Sequence, residues 1–427
     1  MSIMLTPDQQ RAYYAFDQFL CDPNQTVLRI SGYAGTGKST LIATISANLA
    51  SMLSANQMVS QQERDWTPVF TATTNKACEA FAKATGEEVQ TIHSFLGLII
   101  KTNYREKTTS LEPTRRTQIH KDKIIFIDEA SYVDHVLLDY IFEYLRDCKI
   151  VFIGDPAQLA PVKTKGTPVY ECQFPEVALT EVVRQAEGNP IIDLATAFRN
   201  TVNGEGWLEQ FIPDGHHVQY HNRDDFEALI LKEFDRPDWH FDQSKVLAYT
   251  NKTVQRYNQA IRAQVQGEPQ LQTGDYAVVN SAMTSKTCKL RTDQLVCITD
   301  MKPAKSLGVS GWEVTLDGIH FAFLPESFNA RKERLKKAYA DENMAHVATI
   351  DQTWIDLRAA YACTINKSQG STFDRVFIDL DDVRTCRNPN TLARLLYVAV
   401  SRAREQVILT GDLVAKDESH ASTASAA

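Results

Sequence analysis

The sequence predicts an α/β fold with two doubly wound parallel sheets, the second interrupted by a small β-barrel and a helical segment. Three observations carry this. Short apolar runs at Val27–Gly32, Pro68–Ala72, Lys123–Asp128 and Lys149–Gly154 are separated by stretches of helical periodicity, the pattern of buried parallel strands joined by crossover helices. Lys245-Val-Leu-Ala-Tyr-Thr-Asn-Lys252 repeats the architecture of Phe70-Thr-Ala-Thr-Thr-Asn-Lys76, which implies a second α/β domain built like the first but without a glycine loop of its own. Residues near 270 to 325 change character: Gly274-Asp-Tyr-Ala-Val-Val, Gln294-Leu-Val-Cys-Ile-Thr and Trp312-Glu-Val-Thr-Leu alternate as short antiparallel strands do.

In chain order, Thr6-Pro-Asp-Gln9 is a helix start, with Thr6 as N-cap, Pro7 at the first helical position and Gln9 three residues after the cap. The helix is expected to run to about Leu20, with Tyr13, Phe16 and Phe19 or Leu20 toward the core. The strand from Val27 leads into Gly32-Tyr-Ala-Gly-Thr-Gly-Lys-Ser-Thr40 and then a helix. The polar, Gln/Ser-rich segment from Ser51 to Asp65 reads as a surface connection. Lys101 to Lys123, holding Lys101, Arg105, Lys107, Arg115, Arg116 and Lys121 with few apolar residues, reads as an insertion. Ser327 to Asp356 is expected to be helical, and Asp417 to Ala427, small and polar, to be disordered.

Composition narrows the function classes. The 427 residues are 43% hydrophobic and 23% charged, ordinary for a multi-domain globular chain. No apolar run reaches membrane-spanning length, and the N-terminus lacks a basic segment followed by an apolar one, so no membrane association is expected. Eight scattered cysteines with no C-x-x-C pair argue against a disulfide framework or a zinc site and fit a reducing cytoplasm. His216, His217 and His221 read as a solvated loop. With a net charge of −8, any nucleic acid must be held in a local groove and not by bulk attraction.

Residues 32 to 40 carry the chemistry. Gly32, Gly35 and Gly37 let backbone N–H groups face a phosphate, Lys38 brings a cation to β/γ oxygens, and Ser39 offers a hydroxyl to Mg²⁺. The helix that follows, from Thr40, adds its N-terminal dipole. Asp128 and Glu129, at a strand's carboxyl end, supply what metal-assisted hydrolysis needs. Asp128 would hold Mg²⁺ directly or through water, and Glu129 would orient or deprotonate the attacking water.

The ordered set Gln9, Gly32 to Thr40, Thr71 to Phe81, Thr91 to Phe95, Ile127-Asp-Glu-Ala-Ser, Gly154-Asp-Pro-Ala-Gln-Leu, Leu179 to Gln185, Tyr249-Thr-Asn-Lys, Thr364 to Gly370 and Leu396-Tyr-Val-Ala-Val-Ser-Arg-Ala-Arg resembles the superfamily 1 helicases, nearest the Dda and RecD-type branch. The match spans most of residues 5 to 411 in the family's order. The resemblance implies two RecA-like domains with ATP between them, single-stranded DNA across their tops, 5′ to 3′ movement, and an SH3-like form for the barrel. The expected divisions are residues 1–185 for the first domain, with a hairpin insertion at about 99–122. Residues 186–268 and 357–415 form the second, 269–356 the barrel and helical insertion, and 416–427 the tail.

Residue by residue, the resemblance implies that Gln9 reads adenine and that Gly32, Ala34, Gly35, Thr36, Gly37, Lys38, Ser39 and Thr40 form the nucleotide site. Gln158 is similar to the γ-phosphate sensor, and Arg184 and Arg402 to the two arginines that reach the γ-phosphate, an arrangement typically worth 10³ to 10⁵ in rate. Thr73, Asn75, Lys76, Thr250, Asn251, Thr364 and Asn366 would serve the strand. His93 and Phe95 could stack on bases, while Phe95 reads equally well as core. Two departures stand out. Thr364-Ile-Asn366-Lys367 replaces the family's Thr-x-His-Lys, and Arg291-Thr-Asp-Gln stands where the barrel commonly has an Asn-Gly turn.

The expected activity is an ATP- and Mg²⁺-dependent helicase acting as a monomer on single-stranded and tailed duplex DNA, with replication, recombination or repair proteins as the partners the resemblance implies. A translocase that strips proteins without unwinding is a variant of it. The alternative from another class is an ATP-switched strand-binding accessory subunit without processive unwinding, distinguished by tight binding with negligible turnover.

Overall fold

The computed structural model describes residues 4–60, 64–103, 108–160, 166–181, 188–205, 212–268, 270–285, 288–327 and 329–413. The chain divides into two compact units, residues 1–187 with 271–360, and residues 188–270 with 361–427.

The first unit is built on six parallel strands, Val27–Gly32, Thr67–Ala72, Val89–Thr91, Lys123–Asp128, Lys149–Gly154 and Glu176–Leu179. Across the sheet they lie in the order third, second, fourth, fifth, first, sixth. Both faces are covered, which is why these strands read as unbroken apolar runs. Along Lys123–Asp128, Ile124 and Phe126 enter one core with Phe16, Phe19, Leu41 and Ile45, while Ile125 and Ile127 enter the other with Leu137, Ile141 and Phe152. Phe126 is fully buried and stacks on Phe70 with centroids 4.7 Å apart, so its burial alone contributes about 2–3 kcal/mol.

The first helix, Pro7–Cys21, has the expected capping box: Gln9 N–H donates to the Thr6 hydroxyl, and Thr6 N–H donates to Gln9 Oε1 of the side-chain amide. Phe16, Phe19 and Leu20 are buried, and Tyr13 packs partly against them. One expectation fails. The helix that opens at Lys38 continues to Ser60, through most of the segment expected to be a surface connection. Polarity is a poor guide there: Ala, Ser, Met and Gln are all compatible with helix, and Met52 and Leu53 hold the added turns against the core.

The basic insertion contains a two-stranded hairpin, Leu98–Asn103 with Thr108–Pro113. Its base is pinned at Gly97, whose carbonyl accepts from Thr114 N–H (3.0 Å), the Thr114 hydroxyl (2.7 Å) and the Thr117 hydroxyl (2.8 Å). Gly97 takes φ +70°, and a Cβ there would meet Thr117 N at 2.8 Å. Arg105 and Lys107 lie outside the described residues.

Residues 271–360 form a five-stranded antiparallel sheet led by the long pair Leu295–Ser306 and Val309–Leu316. The edge strand His320–Pro325 meets residues just before the other edge strand, Leu357–Ala359: Ile355 N–H donates to Phe323 O at 2.9 Å, closing the strands on themselves. In the turn lacking Asn-Gly, Asp293 takes the left-handed conformation, φ 64°, which an aspartate tolerates better than most residues. Helices Ala330–Ala340 and Met344–Thr353 pack Leu335, Val347 and Ile350 on Phe323 and Trp354.

The second unit has five parallel strands, Ala362–Thr364, Ser244–Ala248, Phe373–Asp379, Ala403–Thr410 and Val218–Tyr220, in that spatial order. The two parallel sheets are RecA-like. All eight cysteines are free, and no helix among the described residues is long and apolar enough to cross a membrane. The expected disordered tail, 416–427, lies outside the described residues.

Candidate nucleotide and strand sites

The carboxyl ends of the first sheet's strands gather most of the expected nucleotide residues. Val27–Gly32 is buried along its length and delivers the chain into the loop before the helix that begins at Lys38. Gly35 and Gly37 take φ of 84° and 77°, a region closed to most side chains. A Cβ on Gly32 would meet Thr36 Oγ1 at 2.6 Å and Lys38 Cγ at 3.2 Å, so the cradle has room only for glycine. The Lys38 ammonium donates to the carbonyls of Gly32 and Tyr33, the latter at 3.0 Å. Ser39 is exposed, Ala34 and Thr40 are half-buried, and Thr36 is buried with its hydroxyl on Tyr33 O at 2.9 Å.

Gln9 sits on this loop. Its amide N–H₂ donates to Thr36 O at 3.2 Å and Gly37 O at 3.4 Å, while its oxygen is taken by the helix cap. The neighbouring Asp8, which no sequence motif marks, accepts from Thr180 N–H and hydroxyl, both 2.7 Å, and Glu181 N–H at 3.0 Å. Those bonds hold its carboxyl down to about 2. One helix N-terminus thus ties the phosphate loop to the chain leading toward Arg184, which itself lies outside the described residues.

Asp128 ends its strand with a carboxyl that burial pushes above the usual carboxylate range, against the pull of the Glu129 N–H and the Lys38 ammonium. A half-buried acid drawn toward a nearby cation fits a Mg²⁺ ligand. Glu129 takes the left-handed conformation, φ 54°, and turns the chain into the short helix Ala130–Tyr132. Such backbone in a non-glycine residue costs on the order of 1 kcal/mol and collects at functional sites. Gly154 allows close packing beside it, since a Cβ there would meet Tyr170 Oη at 2.5 Å and Ala130 N at 3.1 Å. Gln158 is buried in the turn after Asp155, whose carboxylate accepts from Ala157 N–H at 2.9 Å.

The expected strand residues separate into two groups. In the first unit, Thr73 is buried, its N–H on Asp128 O (3.3 Å) and its hydroxyl on Glu129 O (3.2 Å), while Asn75 and Lys76 are half-exposed at the start of helix Asn75–Thr85. Burial lowers the His93 imidazole below its ordinary value, with Asp134 pulling the other way. Phe95 stacks on His120 at 4.3 Å and packs against the core, so its ring is held by the protein. In the second unit, Thr250 gives both N–H and hydroxyl to Asp382, so it is not free to donate to a phosphate; Asn251 is exposed. Thr364 is buried as the N-cap of Ile365–Ser368, and Asn366 is half-buried.

Arg402 departs from expectation in its bonding. Its guanidinium is buried within its own unit and donates to Val398 O at 3.0 Å, Ser371 O at 3.2 Å and Ser401 Oγ at 2.8 Å. These bonds close the end of helix Pro389–Val400, a use of arginine that spacing alone cannot reveal.

The family model for an AAA domain matches residues 4–211, and that for a UvrD-like helicase C-terminal domain matches residues 359–410. The ATP-dependent DNA helicase dda of Enterobacteria phage T4 is 27% identical, aligned over 94% of this chain and 98% of its own. The ATP-dependent RecD2 DNA helicase of Deinococcus radiodurans is 29% identical over 44% of this chain and 24% of its own. Among solved structures, Pif1 helicase from Bacteroides, in complex with ADP-AlF3 and single-stranded DNA, shares the fold over 97% of this chain and 94% of its own, with a TM-score of 0.51 at 17% identity. The chain thus carries a match to an AAA domain followed by one to a UvrD-like helicase C-terminal domain, and it aligns with the phage T4 dda helicase over nearly its whole length.

Proposed function

We propose that this protein is an ATP-dependent DNA helicase that moves 5′ to 3′ on single-stranded DNA and opens duplex DNA ahead of it. The observation that carries the reading is the pairing, within one unit, of a glycine-only phosphate cradle with Lys38 and a half-buried Asp128 whose carboxyl feels that lysine's charge. Lys38 neutralises the β/γ oxygens of ATP, Ser39 and Asp128 hold Mg²⁺, and Glu129 takes the proton of the attacking water. Bound Mg²⁺ supplies charge neutralisation to the phosphates. Gln158 senses the γ-phosphate. Arg184 and Arg402 complete the site, Arg402 by exchanging its carbonyl partners for phosphate oxygens. Thr73, Asn75, Lys76, His93, Asn251, Thr364 and Asn366 serve the strand. A base-pair step costs about 1.4 kcal/mol in stacking, well within the reach of one hydrolysis cycle.

The test is steady-state ATP hydrolysis with and without single-stranded DNA, on wild type and Glu129→Gln, followed by unwinding of duplexes with a 5′ or a 3′ tail. Strand-stimulated turnover that vanishes in the variant, with unwinding from the 5′ tail, is expected. Tight strand binding with negligible wild-type turnover would replace this reading with an ATP-switched accessory subunit.

A further inference from the structure

Asp382 lies in the short helix Leu380–Val383, directly after the strand Phe373–Asp379. It is 9% exposed, and its carboxylate accepts four hydrogen bonds from one stretch of five residues. Tyr249 N–H (2.6 Å) and Thr250 N–H (2.9 Å) reach one oxygen; the hydroxyls of Thr250 (2.6 Å) and Thr253 (2.7 Å) reach the other. Thr250 also caps helix Asn251–Gln266 by accepting from Thr253 N–H at 3.2 Å. The carboxylate therefore fixes the conformation of Tyr249–Thr253 and engages both of Thr250's donors. The next two side chains, Asn251 and Lys252, are exposed.

We propose that Asp382 is a positioning residue for single-strand binding, holding Tyr249–Thr253 so that Asn251 and Lys252, in place of Thr250, meet the strand's phosphates. This rests on the strand-binding reading above. Removing the carboxylate leaves four donors without their shared acceptor, and the stretch loses the geometry that aims its exposed side chains. An asparagine keeps most of it: its oxygen can accept the two backbone N–H groups, and its N–H₂ can donate to the two hydroxyls.

The experiment is fluorescence anisotropy of a labelled single-stranded oligothymidylate on the full chain across a salt series, for wild type, Asp382→Ala and Asp382→Asn. Affinity for a non-hydrolysable ATP analogue is measured in parallel without DNA. For Asp382→Ala the expected result is strand affinity weakened about tenfold or more, with the log–log salt slope shallower by roughly 0.7 for each phosphate the protein no longer neutralises. Analogue affinity stays near the wild-type value, because the phosphate loop is in the other unit and the Asp382 carboxylate is bonded to Tyr249, Thr250 and Thr253, not to Arg402. Asp382→Asn should remain within about threefold of wild type. Wild-type strand affinity in Asp382→Ala would overturn the inference. So would weakened binding with an unchanged slope, which signals fewer folded molecules that each still neutralise the same phosphates. A wild-type chain that binds no strand would overturn the strand-binding reading and this inference with it.

Discussion

The same Thr-Asn-Lys sequence follows a buried strand in each unit, and each unit holds it differently. In the first, Thr74 of that sequence caps helix Asn75–Thr85 by accepting from Ala77 N–H at 3.1 Å, as Thr250 caps its own helix, and the residue before it, Thr73, leans on the backbone oxygens of Asp128 and Glu129, at the end of the neighbouring strand Lys123–Asp128. In the second, Thr250 is held by the Asp382 side chain, just past the end of the neighbouring strand Phe373–Asp379. The acidic strand ends occupy corresponding places in the two sheets. Beside the phosphate loop, the backbone of Asp128 and Glu129 anchors Thr73, and their carboxylates are the ones proposed for nucleotide chemistry. Where no such loop exists, the acids become structural: Asp382 anchors Thr250, while Asp379 accepts a two-armed bond from Arg223 (2.7 and 2.9 Å) and the Tyr257 hydroxyl (2.8 Å).

The sharpest way to break this comparison is to remove chemistry from the first unit. Lys38→Ala is expected to lower strand-stimulated ATP hydrolysis by about 10²–10³ or more in a steady-state assay, the scale of losing one preorganised charge on a reacting oxygen. Turnover surviving at the wild-type level would mean that the second unit's carboxylates do more than hold structure. A smaller effect separates Thr250, anchored by a carboxylate, from Thr73, anchored by backbone alone. Thr250→Val deletes a hydroxyl bonded to a buried carboxylate and should destabilise by about 1.5–3 kcal/mol, read from the denaturant midpoint of the transition that reports the second unit.

Asp8 shows that the first unit also uses an acid as an anchor, here from a helix N-terminus that holds Thr180 and Glu181, just past the end of strand Glu176–Leu179. With the carboxyl held at about 2 in the folded protein, below its unfolded value, the stabilisation is fully present above about pH 5 and lost as pH falls toward 2. The expected contribution is on the order of 1–2 kcal/mol, and Asp8→Asn should flatten that part of the acid limb in a pH series of thermal unfolding. The smallest effect is expected at Thr73→Val, about 0.5–1.5 kcal/mol, since only a carbonyl partner is lost. A Thr73→Val cost exceeding that of Thr250→Val would reverse the proposed division of labour.

Much of this is readable from sequence because it depends on neighbours in the chain. The capping box at Thr6 and Gln9, the glycines at 35 and 37, and the apolar runs that end at Gly32 and Asp128 are local requirements of backbone geometry and burial. The helical continuation past Ser51 is not readable, because polarity says little about a helix whose few apolar residues find a core from another segment. Asp382 gives no signal in Leu-Asp-Asp-Val, and neither does the burial of Arg402 against Val398 and Ser371 or the stacking of Phe95 on His120.

The sequence by itself determined the two α/β units, the phosphate loop, the acidic strand end and the order of the motifs. Those follow from residue type at fixed spacing, where a Cβ, a charge or an apolar face is either tolerated or not. Only the tertiary structure decided which polar groups remain available. Thr250 has the right chemistry for a phosphate, but the Asp382 carboxylate, 132 residues away in the chain, engages both its donors, while Arg402 is held only by weaker acceptors, among them the carbonyls of Val398 and Ser371, that a phosphate can displace. A donor can serve a ligand only where folding has left it without a better acceptor.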